Sequence, residues 1–254
     1  LNLRFKSSKK VSIRYSFRTM VKNKVTIIIP VFNEKKYIEK IIKKIIKNIK
    51  FNKQIIVVDD YSSDGTRKII KKIKKIDKII FHKKNQGKGA AIKSAIPFIK
   101  GNIIAIQDAD LEYSPKDLNK LIKIMILNDL KVVYGSRVLK KKRYYNSSFI
   151  SNFRIFGNHM LTLISNFFNN QKLTDAHTCY KIFKRDLFIK LKLQENDFAF
   201  CPEVTTKISI LNEKIKEVPI SYKGRTVEEG KKINFYDAIR ALIIILKYKY
   251  FIKF

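Results

Sequence analysis

The segment IIAIQDADLEY, residues 103–113, is where the sequence first suggests chemistry. An apolar run stops in Asp108, Asp110 and Glu112. The chain carries 55 Lys and Arg against 21 Asp and Glu, so three acids packed this closely need a reason. Carboxylates gathered in a basic chain suit a hard divalent cation, or hydroxyls that need an acceptor. At a strand end Asp108 and Asp110 would share a face, and Glu112 continues that set as the chain leaves the strand. Three oxygen donors with open positions fit Mg2+ or Mn2+ bridging a diphosphate, a Lewis-acid role. An Asp-x-Asp pair is common by itself, so its weight comes from its surroundings.

Those surroundings are polar in the same way. PVFNE (30–34), DDYSSDGT (59–66) and GSR (135–137) also close apolar runs. Asp59, Asp60, Asp64, Asp108, Asp110 and Glu112 are six of the 21 acids. Helix capping accounts for one of them, Asp64. NQGKGAAI (85–92) is a glycine-rich turn opening a helix, and its amides and Lys88 could hold phosphate. The glycine spacing is not that of a P-loop. No GxGxxG follows the first strand, which counts against a dinucleotide oxidoreductase.

The elements that must position these residues follow from periodicity. VTIIIPVF (25–32), QIIVVDD (54–60), DKIIFH (77–82), NIIAIQDAD (102–110) and KVVYGSR (131–137) read as strands buried on both faces. Helical segments lie between them. Ile38, Ile41, Ile42, Ile45, Ile46 and Ile49 form one apolar face opposite lysines. Ser114 caps a later helix with Pro115 at its first position. This alternation predicts a mainly parallel sheet with right-handed crossovers, and ligands collect at the carboxyl ends of such strands. After 137 the rhythm changes. The sequence predicts one or two amphipathic helices over 149–168, a strand within 178–186, a helix over 203–213, a strand over 216–222 and a closing helix over 234–251. No linker divides the chain, so 23–254 reads as one domain with an amphipathic C-terminal helix. Residues 1–22 read as a basic extension, with Met20 as the native start.

The formal charge of +34 would attract nucleic acid, anionic lipid or phosphorylated substrates. The excess is mostly Lys beside abundant Ile and Asn, the mark of base-composition drift. A nucleic-acid binder would interleave basic residues with exposed aromatics on one face, and no such module is visible. Cys179 and Cys201 make neither a disulfide framework nor a zinc spacing. They read as reduced thiols, consistent with the cytoplasm. No apolar run is long enough to span a bilayer.

PVFNE, VVDDYSSDGT, NQGKGAAI, DADLEYSP and GSR, in this order and spacing, resemble family 2 glycosyltransferases. That family has the GT-A fold, an α/β architecture with a mainly parallel, Rossmann-like nucleotide-sugar-binding sheet flanked by helices. LTDAHTCYKIFKRDLF, FCPEV and EVPISYKGRTVEEGKKI are similar to dolichyl- and polyprenyl-phosphate hexosyltransferases of the dolichyl-phosphate mannose synthase type. The resemblance implies that Pro30, Phe32, Glu34, Asp59 and Asp60 line the nucleoside pocket. It matches Asp108, Asp110 and Glu112 to the metal positions and sets Arg137 beside the phosphates. It gives Arg225, helped by Lys231 or Lys232, the acceptor phosphate, and matches Glu203 to the acidic position after FCP. Two departures stand out. Tyr61 replaces a glycine or other small residue, and TDAHTCYK lacks the usual Gly or Ser around His177 and Thr178. His177 reads as structural.

The implied reaction is inverting transfer of a hexose from GDP-mannose or UDP-glucose to a polyprenyl or dolichyl phosphate. A phosphate acceptor is already anionic and needs no general base, unlike a hydroxyl. The alternative is a saccharide or other hydroxyl acceptor, with Glu203 as base. A lipid acceptor implies peripheral attachment to the cytoplasmic face of a membrane. FISNFRIFGNHMLTLISNFF, beside Lys140–Arg143 and Arg154, is the candidate contact.

Overall fold

Short runs of Ile and Val favour extended chain because branching at Cβ suits a pleated, two-sided surface. Among the described residues seven strands pair: β1 (Lys24–Val31), β2 (Asn52–Asp59), β3 (Lys78–Phe81), β4 (Ile103–Ile106), β5 (Val132–Ser136), β6 (Lys181–Lys184) and β7 (Lys216–Pro219). The computed structural model describes residues 23–139, 149–224 and 235–252, the side chains of 149–155 and 235–238 excepted. The leader with Met20, the basic loop Lys140–Arg143, and Arg225, Lys231 and Lys232 lie outside the described residues, as does the side chain of Arg154.

The strand order is β3-β2-β1-β4-β6-β5-β7. β1 to β4 run parallel. β6 enters antiparallel between β4 and β5, and β7 then pairs parallel with β5. The sheet is thus mainly parallel, with one reversed strand. β1 continues to Val31, which pairs with Asp59, but β4 ends at Ile106, opposite Ile28. The chain therefore leaves the sheet early at β4 and opens a step in its carboxyl rim.

Alternate side chains along each strand feed opposite cores. Ile27, Ile29 and Val57 join Ile41, Ile45, Leu118 and Ile122, carried by α1 (Ile38–Asn48) and α4 (Pro115–Leu127). Ile28, Ile56, Val58 and Ile106 join Ile92, Phe188, Val204 and Ile208. That second layer is α3 (Lys88–Ala95), α6 (Arg185–Lys190) and α7 (Phe200–Ile210). The isoleucine face read from sequence is the buried face of α1, with Ile46 half-buried at its margin. The 149–168 segment is one helix, α5 (Phe149–Asn169), within the one or two expected, whereas α6 was not anticipated. α8 (Phe235–Leu246) closes the chain and runs into a π-helical turn, Lys247–Phe251. Among the described residues no helix is long and apolar enough to cross a membrane.

Ser114 caps α4 as expected, its hydroxyl accepting from the Lys116 N–H. Asp64 does not occupy the N-cap of α2 (Thr66–Lys72), where Gly65 sits. It acts one position earlier, its Oδ1 accepting from the Thr66 amide at 2.9 Å and its Oδ2 from the Lys35 amide.

Candidate active site

Past the ends of β1, β2 and β4 the chain passes through a residue in the left-handed backbone region. Asn33 has φ 55°, Tyr61 φ 68° and Leu111 φ 63°. Non-glycine residues rarely adopt this geometry, and it concentrates where a site needs a sharp turn. The first two turns are pinned to each other. The Asn33 amide donates to Ser62 Oγ at 2.9 Å, and the Ser63 amide to Asn33 Oδ1 at 2.9 Å. The Glu34 amide donates to Thr66 Oγ1, and the nearly buried Glu34 side chain stays in this corner. Pro30 is buried inside β1 and Phe32 half-buried just past it.

Asp59 and Asp60 divide their work. Both oxygens of Asp60 are engaged. Oδ1 receives His82 Nδ1 (2.7 Å) and the Gln86 amide (2.8 Å), and Oδ2 the Gly87 amide (2.7 Å). Asp59 is fully buried, and its Oδ2 takes Arg67 Nε and the Ser62 amide. Its Oδ1 is buried without a hydrogen-bond partner. Asp60 thus organises the turn, while Asp59 keeps one acceptor atom in reserve.

The glycine-rich turn departs from its expected use. Its Gln86 and Gly87 amides hold the Asp60 carboxylate, and the Ala90 amide donates to Asn196 O at 2.8 Å. A Cβ on Gly87 or Gly89 would lie 2.4 Å from the carbonyl oxygen of Asn196 or Glu195. The glycines are there because the 195–196 backbone crosses the start of α3. These amides serve an internal carboxylate, which corrects their assignment to phosphate.

Lys88 reaches the acidic turn instead. Its Nζ donates to Asp108 Oδ1 at 2.5 Å and to Cys179 Sγ at 3.2 Å. Burial lowers the Lys88 pKa, but Asp108 more than offsets it and holds the ammonium well above its ordinary value. Burial and the nearby Asp108 carboxylate push the Cys179 thiol well up, so it stays protonated.

β4 stops at Ile106, so strand alternation does not set the directions of Asp108, Asp110 and Glu112. Asp110 Oδ1 caps the turn by accepting from the Glu112 amide at 3.1 Å. Glu112 Oε2 accepts from Tyr222 OH at 2.8 Å, and Glu112 O from the Lys223 amide at 3.0 Å. Among the described residues no three His, Cys, Asp or Glu side chains gather as a metal-holding group. Asp108, Asp110 and Glu112 thus do not gather as a set of three. Asp108 and Asp110 still offer hard oxygen donors on one turn. That set fits a cation that takes one or two carboxylates and completes its shell with diphosphate and water, rather than an all-protein cage.

Across the rim, Arg137 follows β5 into a bidentate clamp. Its Nε and Nη2 donate to Asp175 Oδ2 and Oδ1, each at 2.7 Å. Its amide also donates to Asp175 Oδ2. Burial pulls the guanidinium pKa down, but Asp175 outweighs it and leaves it well above its ordinary value. Glu217 of β7 holds the clamp in turn. Its Oε2 accepts from the Thr174 amide and hydroxyl, and its Oε1 from the Asp175 amide at 2.9 Å. Arg137 lies 5.2 Å from the ring centroid of Tyr222, the tyrosine bonded to Glu112. Asp175, Glu217, Tyr222 and Arg67 were not singled out from sequence. The scarcity of acids was the available signal for the first two.

Glu203 is placed away from any role as a base. It is fully buried on α7. The Gln194 and Glu195 amides donate to its two oxygens, and Lys207 Nζ sits 2.8 Å away, itself fully buried. A general base must be within reach of the hydroxyl it deprotonates. Glu203 instead fixes the loop that crosses α3. His177, read from sequence as structural, is half-buried. Burial, then the Lys181 charge, lowers its pKa to about 4, and its Nε2 has no hydrogen-bond partner.

Comparison with known proteins places this geometry. Residues 26–192 match the model of glycosyl transferase family 2. An uncharacterized protein of Methanocaldococcus jannaschii is 31% identical over 234 residues, covering 84% of this chain and 90% of the relative. A dolichyl-phosphate beta-glucosyltransferase of Trichomonas vaginalis is 27% identical, covering 90% of this chain and 74% of the relative. One of Dictyostelium discoideum is also 27% identical, covering 93% and 80%. Among solved structures, glucosyl-3-phosphoglycerate synthase from Mycobacterium tuberculosis, in complex with Mn2+, UDP and glucosyl-3-phosphoglycerate, superposes with a TM-score of 0.68. It is 16% identical, with 92% of this chain and 82% of that chain covered. The same enzyme with Mg2+ and UDP also gives 0.68, at 15% identity, covering 93% and 83%. The shared fold is the GT-A nucleotide-sugar architecture.

Proposed function

The chain belongs to glycosyl transferase family 2, and on that premise we propose that it moves a hexose from a nucleoside diphosphate sugar to a polyprenyl or dolichyl phosphate. The two glucosyltransferase relatives favour glucose, hence UDP-glucose, over mannose from GDP-mannose. The observation that carries the acceptor class is the fixed guanidinium of Arg137, set beside the acidic turn through Tyr222. A cation of that kind orients and screens an anionic acceptor. The enclosure of Glu203 argues against the alternative hydroxyl acceptor that would need it as base.

In the proposed reaction an acceptor phosphate oxygen attacks the anomeric carbon. The bond from that carbon to the donor diphosphate breaks, its electron pair leaves with the nucleoside diphosphate, and the centre inverts. Asp108 and Asp110 would hold Mg2+ or Mn2+, which supplies neutralising charge for the diphosphate. Lys88, beside Asp108, adds positive charge on the same side. Arg137 would steady the phosphates between donor and acceptor, and Arg225 with Lys231 or Lys232 would grip the acceptor phosphate. Asp59, Pro30, Phe32 and Glu34 would wall the nucleoside, with Asp60 supporting their turn.

Such an acceptor puts the protein on a membrane surface, proposed as the cytoplasmic face. Phe156, Met160, Leu163 and Phe167 of α5 follow helical spacing and are exposed. The Phe168 and Tyr250 rings join α5 to the C-terminal turn, where Tyr250 and Phe251 are also exposed. An apolar helical face beside basic chain suits the bilayer interface. One experiment tests the whole reading. Labelled UDP-glucose or GDP-mannose is offered with polyprenyl phosphate in vesicles containing anionic lipid. Label in the organic phase, with protein floating with the vesicles, is expected. Transfer only to free saccharide, with no flotation at moderate salt, would defeat it.

A further inference from the structure

Tyr61 stands where the backbone asks for glycine. Its φ of 68° is costly for a side chain with a Cβ, and a glycine would adopt it freely. The ring is nevertheless held in a defined place. The Arg67 guanidinium lies 5.2 Å from the Tyr61 ring centroid and 5.3 Å from that of Phe81. Arg67 is itself anchored by Asp59 Oδ2 and by the carbonyl oxygen of His82. Tyr61 remains 50% exposed, so an aromatic surface is left open beside the buried Asp59. The bonds from Asn33 to Ser62 and Ser63 bring the turn after β1, which carries Phe32, against the turn that carries Tyr61. Two aromatic residues thus sit on the joined turns that follow β1 and β2.

We propose that the Tyr61 ring is a stacking wall for the base of the donor nucleotide. The inference rests on the donor reading above and goes beyond it by naming a binding residue. Every base offers a π face, so stacking strengthens binding with little regard to which base is present. Backing by Arg67 fixes the ring before the nucleotide arrives, which keeps the ordering cost of binding small. The strain at φ 68° then has a function that glycine could not serve.

Calorimetric titration with UDP, GDP and inorganic pyrophosphate, all in Mn2+ buffer, tests this. Tyr61→Phe keeps the ring and should bind UDP within about twofold of wild type. Tyr61→Gly should weaken UDP roughly tenfold or more and leave pyrophosphate within about twofold, narrowing the gap between the two ligands. Because glycine relieves the backbone, that variant should melt no lower than wild type. Equal UDP affinity in Tyr61→Gly and wild type would overturn the proposal while leaving the donor reading intact. So would equal losses of UDP and pyrophosphate, which mark general damage. A wild-type protein that binds neither UDP nor GDP removes the donor reading and the proposal with it.

Discussion

The two sides of the carboxyl rim use acids in opposite ways. Under β1 and β2, Asp60 accepts two backbone amides and His82, and so builds a turn. Under β5 and β7, Asp175 and Glu217 form a two-step support whose product is the orientation of Arg137. On the first side the carboxylate is the end of the chain of contacts. On the second it is an intermediate, and a cation is presented at the end. Scarce acids in a chain of net charge +34 therefore mark tight structure as often as they mark chemistry. Only the partner tells the two apart.

The largest effect should come from an acid that serves structure alone. Glu203→Ala would leave the Lys207 ammonium buried without its counterion. Breaking a buried pair in this way costs about 3–5 kcal/mol, roughly 10 °C in a thermal melt. Turnover per folded molecule should stay within a few-fold at a temperature where the variant is folded. A collapse of turnover at unchanged Tm would erase the distinction between the two kinds of acid.

Asp175→Asn should act on the chemistry instead. Both Asp175 oxygens receive N–H donors from Arg137, so an amide NH2 would oppose one of them. We expect kcat to fall about 100-fold, with UDP affinity changed by less than threefold. Equal losses in kcat and UDP binding would make Asp175 part of the donor pocket and move the dividing line.

The smallest effect is one of pH. The neutral His177 imidazole is favoured in the fold, with its pKa lowered to about 4. The unfolded chain takes up this proton below about pH 6.5, the native one only near 4. Stability tied to this group is thus fully present above 6.5 and is lost as pH falls towards 4. The loss at pH 5 should be about 2 kcal/mol. His177→Gln should flatten that part of the Tm–pH curve. An unchanged slope would show that the acid sensitivity arises elsewhere.

The parallel core could be read from the sequence because its signal is local. Isoleucine spacing in 38–49 and β-branched runs such as 25–32 specify element and buried face without help from distant residues. The polar strand ends were legible for the same reason. What escaped was contact across the chain. Arg137 meets Asp175 and Tyr222 meets Glu112 only after the sheet is assembled. Asp108, Asp110 and Glu112 fall outside the strand because β4 stops with its apolar run at Ile106, short of the 102–110 strand read from sequence. The phosphate role read for the 85–92 turn loses its Gln86 and Gly87 amides because Asp60 claims both.

The reversed strand has a bearing on how the molecule is made. β4 is synthesised well before β6, yet β6 is the strand that covers its outer edge. While the ribosome works through the residues between them, Ile103–Ile106 offers naked main-chain donors and acceptors along an oily border. Such borders invite other chains to add on. The nascent polypeptide should therefore be most dependent on chaperones, and most prone to clump, in the interval just before Lys181–Lys184 emerges from the exit tunnel.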